Sequence, residues 1–112
     1  MNVEDLGSAL GYECVQDQYE DTQVRAGYTS DLLSDVMANC PEDSILVTIQ
    51  AHKNTVAVAT LTGALAVVIC NSRPIPEDMI EAARGESIGI FRTGKNQFEV
   101  TTEIHAQLSA SG

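Results

Sequence analysis

The chain has 112 residues, 44% of them hydrophobic and 20% charged, which predicts one domain (residues 1–112) with a single core. Sixteen acidic residues against six basic ones give a formal charge of −10, a field that repels phosphate backbones and anionic lipid and so excludes nucleic acid and membrane as expected partners. With no Trp, three Tyr and two Phe, the core has to come from Val, Ile, Leu and Ala.

The opening segment MNVEDLGSALG lacks the basic region and apolar stretch of a signal peptide, and no apolar run approaches the roughly 18 residues of a membrane span. A cytoplasmic protein is expected. Residues 3–10 predict a short helix ended by Gly11, and residues 12–16 (YECVQ) a strand. An acid-rich turn leads to an extended segment at 23–29. Ser30 is placed to cap a helix from Asp31 to about Ala38, whose apolar stripe is Leu32, Leu33, Val36 and Met37.

The runs ILVTI (45–49) and AVVIC (66–70) are continuously apolar, as expected of strands covered on both faces of a parallel sheet. The 16 residues between them include TVAVATL, whose alternation and β-branching suit a strand. Parallel neighbours nevertheless require a crossover, which predicts a helix from Asn54 to Thr62 ended by Gly63. Pro76, Glu77 and Asp78 start another helix, with Gly85 at its end. IGIF (88–91) is a further buried strand, and a weak helix is expected from about Glu99 to Ser109. The alternation indicates a three-layer α/β/α sandwich with a mainly parallel sheet.

Gly89 to Asn96, GIFRTGKN, fits the phosphate-loop spacing of two glycines and a lysine, but Asn96 stands where a magnesium-binding hydroxyl belongs. Gly89 also falls inside the strand rather than in the turn after it. The match is read as coincidence, and no ATP hydrolysis or kinase activity is expected. The three cysteines, Cys14, Cys40 and Cys70, lack metal-ligand spacing and are read as small buried hydrophobes. Neither metal nor cofactor is implied.

In a parallel α/β sheet, ligands bind beyond the carboxyl ends of the strands. Four basic residues, Lys53, Arg73, Arg92 and Lys95, fall in the connections there. The candidate ligand-binding residues are Gln50, His52, Lys53, Asn54 and Thr55 at a helix start, with Asn71 and Arg73 from the next connection. Two readings stand side by side: an anion site, or helix caps and solvated loop bases. No nucleophile or carboxylate is spaced to make His52 catalytic, and His105 is read as a surface residue.

Residues 27–84 contain GYTSDLLSDVMAN, VTIQAHKNTVAVA and NSRPIPED, and on these strings the chain resembles the DRTGG domain family, with the likeness running from about Val3 to Leu108. The signature that names the family would fall on Asp21, Thr22, Arg25, Ala26 and Gly27, of which Asp21 and Gly27 fit. The resemblance implies a fold like the N-terminal domain of bacterial HPr kinase/phosphorylase, without its separate catalytic domain. Related domains occur in phosphotransacetylases and beside CBS modules in regulatory pyrophosphatases, where they help to build dimers. Stand-alone members accompany iron-only hydrogenase genes. The resemblance thus implies a non-catalytic regulatory or interaction module, and together with the rim bases the expectation is a homodimer that binds a phosphate-bearing small molecule or nucleotide. The alternative is an assembly partner of a redox enzyme with no small ligand.

Overall fold

In the computed structural model, which describes residues 1–111, the elements in chain order are α1 (Asp5–Ser8), β1 (Glu13–Gln16), β2 (Ala26–Thr29), α2 (Leu33–Asn39), β3 (Ser44–Thr48), α3 (Lys53–Thr62), β4 (Ala66–Ile69), α4 (Glu77–Glu86), β5 (Gly89–Arg92) and α5 (Gln97–Ser111). Residue 112 of the expected domain lies outside the described residues. The strands form one sheet in the order β1-β5-β4-β3-β2, in which β2 to β5 are parallel and β1 runs antiparallel to β5. The expected mainly parallel sheet is present, with one antiparallel strand at its edge.

Period-two alternation sends the central side chains to two separate cores. Ile45 and Val47 of β3, Ala66 and Val68 of β4 and Phe91 of β5 pack with Leu6, Val100 and Ile104 of α1 and α5. Leu46, Val67, Ile69 and Ile90 point the other way, onto Val36, Val56, Ala59, Met79 and Ala83 of α2, α3 and α4. Two covered faces explain why residues 45–47 and all four residues of β4 are apolar without a break. The ambiguous TVAVATL is helical. Its alternating Val56 and Val58 are buried, and Gly63 closes the helix at φ +79°, a conformation that favours glycine.

Three local expectations are corrected. α2 begins at Leu33 rather than Asp31, and its N-cap residue Leu32 makes no side-chain cap. Ser30 Oγ instead accepts from the Leu32 N–H at 3.2 Å, two residues before the cap position. α4 runs through Gly85 and ends at Ser87, which takes the left-handed conformation at φ 56°. Of the cysteines, only Cys70 is buried; Cys40 is half-buried and Cys14 is exposed on edge strand β1, where half the side chains face water.

Candidate functional site

The connections after β2, β3, β4 and β5 leave the sheet at one end, because parallel strands share a direction. They are joined across the rim by specific bonds. Asp31 Oδ1 accepts from Thr48 Oγ1, from the Ile49 N–H and from Gln97 Nε2, each at 2.9 Å. One carboxylate oxygen thereby ties the loop after β2 to the end of β3 and the start of α5. The Asn71 and Ser72 amides donate to the carbonyls of Lys95 and Thr93 at 3.0 and 2.9 Å, with both residues at positive φ, 59° and 52°. That pair of left-handed residues stitches the loop after β4 to the loop after β5.

The predicted helix-start cluster is only partly available to a ligand. Thr55 is fully buried, and its hydroxyl donates to the Gln50 carbonyl at 2.7 Å. It is a structural brace at the foot of α3. The cap is His52, whose Nδ1 accepts from the Asn54 N–H at 3.0 Å. The side chains of Gln50, His52, Lys53, Asn54, Asn71 and Arg73 are exposed. Adjacent strands β3 and β4 set the two connections that carry them next to each other.

Charge pairing divides the four rim bases into two kinds. Arg92 grips Glu13 through Nε at 3.1 Å and Nη2 at 3.0 Å, which clamps β1 to β5. Lys95 Nζ lies 2.5 Å from Glu103 Oε2, and Tyr12 donates to the other oxygen of Glu103 at 2.6 Å. These donors, Lys95 first and Tyr12 next, hold the Glu103 carboxyl below its ordinary range. Neither Lys53 nor Arg73 has a carboxylate partner among the described residues. Of the predicted cluster of bases, two are consumed by the fold and two are left over.

The same geometry bears on GIFRTGKN. Gly89 lies within β5, where an added Cβ would stand 3.1 Å from both Phe91 and Tyr19, so glycine serves packing there. The lysine that would reach a phosphate is engaged by Glu103. Among the signature positions, Asp21 accepts from the Glu4 N–H at 3.0 Å and from Asn2 Nδ2 at 3.3 Å, so it anchors the N-terminal segment. Among the described residues there is no cluster of three metal-ligating side chains, and no helix is long and apolar enough to cross a membrane.

Sequence reasoning did not find the role of Asp31, since its partners lie 17, 18 and 66 residues away. It also missed a slot of about 260 Å³ between β2 and α5, lined by Gly27, Thr29, Val47, Ile104, His105 and Leu108. Lys53 and Asn54 in turn open onto a shallow groove of about 570 Å³ between α3 and α4, which includes Ala57, Leu61 and Ala82.

No family model matches the chain. No curated protein matches it either. Among solved structures, it is similar to the CBS and DRTGG domains of the regulatory region of Clostridium perfringens pyrophosphatase, crystallised with the activator diadenosine tetraphosphate. The TM-score is 0.69 at 10% identity, over 89% of this chain and 44% of that one. The chain therefore spans less than half of that regulatory region, and what the two share is a DRTGG-like α/β fold.

Proposed function

We propose that this chain is a non-catalytic regulatory or ligand-sensing module that binds a phosphate-bearing or nucleotide-like ligand where the loops after β3 and β4 meet the N-terminus of α3. The observation that carries the reading is the pair of unpartnered cations, Lys53 and Arg73, in a chain with charge −10. Lys53 opens a ten-residue helix, whose dipole favours an anion at that end, and Arg73 lies in the connection after the neighbouring strand β4. His52, Asn54, Gln50 and Asn71 add exposed polar groups in the same two connections. Support also comes from the structural neighbour, a regulatory region crystallised with a dinucleoside polyphosphate activator.

Calorimetry with diadenosine tetraphosphate, ATP, AMP and acetyl phosphate tests the site directly. Binding that weakens with salt and is lost in Lys53→Ala and Arg73→Ala variants of unchanged melting temperature supports it. No heat at millimolar ligand across that panel would remove the site and favour the assembly-partner reading. ATP is bound without turnover in this reading, so hydrolysis abolished by Lys95→Ala would overturn the non-catalytic assignment.

The module is proposed to be a homodimer through the outer face of α3. Leu61 there is 73% exposed beside the exposed Ala57, an apolar surface that a second copy would cover. Sedimentation should give a dimer that Leu61→Lys dissociates. A 12 kDa species at micromolar concentration would reject it.

A further inference from the structure

The two edges of the sheet are unlike. β1 carries a bulge between Cys14 and Gln16 and a charged residue, Glu13, clamped by Arg92. Bulges and charges are the usual protections of an exposed edge. β2, Ala26–Thr29, has neither a charge nor a proline and pairs only with β3. The Arg25 N–H bonds the Asp43 carbonyl at 2.9 Å, so by the alternation of a parallel ladder Gly27 and Thr29 also face β3. The N–H and C=O groups of Ala26 and Tyr28 then point outward along an open edge.

Each face of that edge is differently furnished. On the α5 side lies the slot of about 260 Å³, floored by Val47, Ile104 and Leu108 and bounded by Thr29, Thr101 and His105. That volume is below the roughly 300–1,000 Å³ of small-molecule pockets and suits one apolar side chain. The slot stays open because Gly27 has no side chain. On the α2 side, Tyr28 donates to Asp35 at 2.7 Å, and Asn39 donates to the same carboxylate at 2.9 Å. These hydrogen bonds hold Asp35 below the ordinary carboxylate range, yet it has no cationic partner among the described residues.

We propose that β2 is a docking edge for an extended segment of a partner protein, which adds as a further strand and alternates an apolar side chain in the α5 slot with a basic side chain beside Asp35. Only an extended backbone satisfies a row of strand N–H and C=O groups, and pockets for alternate residues supply specificity. Charge selects a partner over a second copy. A second copy adding through its own β2 would bring no base to Asp35, since Ala26–Thr29 carries none. Arg25, the only base adjoining β2 in sequence, is already held by Asp43 at 3.3 Å.

The test uses a capped peptide, Lys-Val-Lys-Leu-Lys-Val, titrated into the isotopically labelled protein, with Glu-Val-Glu-Leu-Glu-Val as control. The basic peptide should shift the amides of Ala26 to Thr29 and the Ile104 and Leu108 methyls, and the acidic one should not. Gly27→Val should abolish binding, because a Cβ there meets Ile104 Cγ2 at an ordinary 3.6 Å and the added methyl groups fill the slot. Asp35→Asn should weaken it about two- to fivefold, as for a cross-strand charge pair. Methylating alternate peptide amides should abolish binding in one register only, a readout independent of any variant's folding. No shifts at millimolar peptide, or binding indifferent to both Gly27→Val and N-methylation, would overturn the proposal. So would self-association that perturbs Ala26 to Thr29 without peptide, which would assign the edge to a second copy.

Discussion

His52 Nδ1 accepts a hydrogen bond from the Asn54 N–H at 3.0 Å, so the imidazole closes the N-terminus of α3 on the side where an anion is proposed to approach. The cap and the ligand therefore draw on the same group of amides. His52→Ala should cost roughly 1 kcal/mol, the typical loss of an N-cap acceptor, while His52→Asn should restore most of it. Urea denaturation of the two variants measures this. At the proposed site, affinity for ATP should fall less in His52→Ala than in Lys53→Ala, since the freed amide can serve the ligand.

Asp31 is expected to be the most sensitive polar position of the rim. Asp31→Ala leaves the Ile49 N–H and the Thr48 hydroxyl without their acceptor and releases Gln97. A loss of about 1–3 kcal/mol follows from stranding part-buried donors of a charged acceptor. Asp31→Asn retains an acceptor oxygen and should lose less. Equilibrium unfolding of both, with amide exchange at Ile49, checks the assignment.

Stability should fall at both ends of the pH scale through one cluster. Glu103 is held below its ordinary range by Lys95 and Tyr12, so its contribution is present above its unfolded pKa and is lost as pH falls through the lower folded value. Tyr12 is pushed far above its ordinary range by burial and then by Glu103. Its contribution is complete below the unfolded value and is lost at strongly alkaline pH. Glu103→Gln should flatten the acid limb of the melting-temperature profile, and Tyr12→Phe the alkaline limb.

The cysteines should react in order of exposure. Burial raises all three thiols, and the carboxylate of Asp31 adds to the effect at Cys70, which is pushed up to about 11. Cys14 should react first with a disulfide reagent, Cys40 more slowly, and Cys70 only at the rate of unfolding. Mass spectrometry of a time course reads this order directly, and early labelling of Cys70 would contradict the packing of β4.

α4 offers a reciprocal pair of substitutions. Gly85 lies inside the helix, and a Cβ there meets nothing within 4 Å, so Gly85→Ala should add about 1 kcal/mol. Ser87 caps the same helix at φ 56°, where glycine is preferred. Ser87→Gly should be neutral or stabilising by up to about 1 kcal/mol. The reverse outcome in thermal melts would mean that the helix ends at Gly85, as its sequence suggests.

What the sequence determined by itself was the pattern of elements and the two-sided burial of the sheet. AVVIC is apolar throughout and ILVTI is broken only by Thr48, and such runs are expected where both faces of a strand are covered. The length of the connection between them was enough to override the strand-like reading of TVAVATL, because parallel strands demand a crossover. The grouping of Lys53, Arg73, Arg92 and Lys95 near the strand ends was legible for the same reason. Which of those bases stay free was decided only by tertiary structure, since Glu13 and Glu103 reach Arg92 and Lys95 across 79 and 8 residues. Helix ends also shifted where a local signal competed with packing, as at Gly85 and Ser87. The link from Asp31 to Thr48 and Gln97, and the slot that Gly27 leaves open under α5, depend on strand order and helix placement. Contacts between residues so distant in the chain leave no local periodicity to read, so they emerge only when the sheet is assembled.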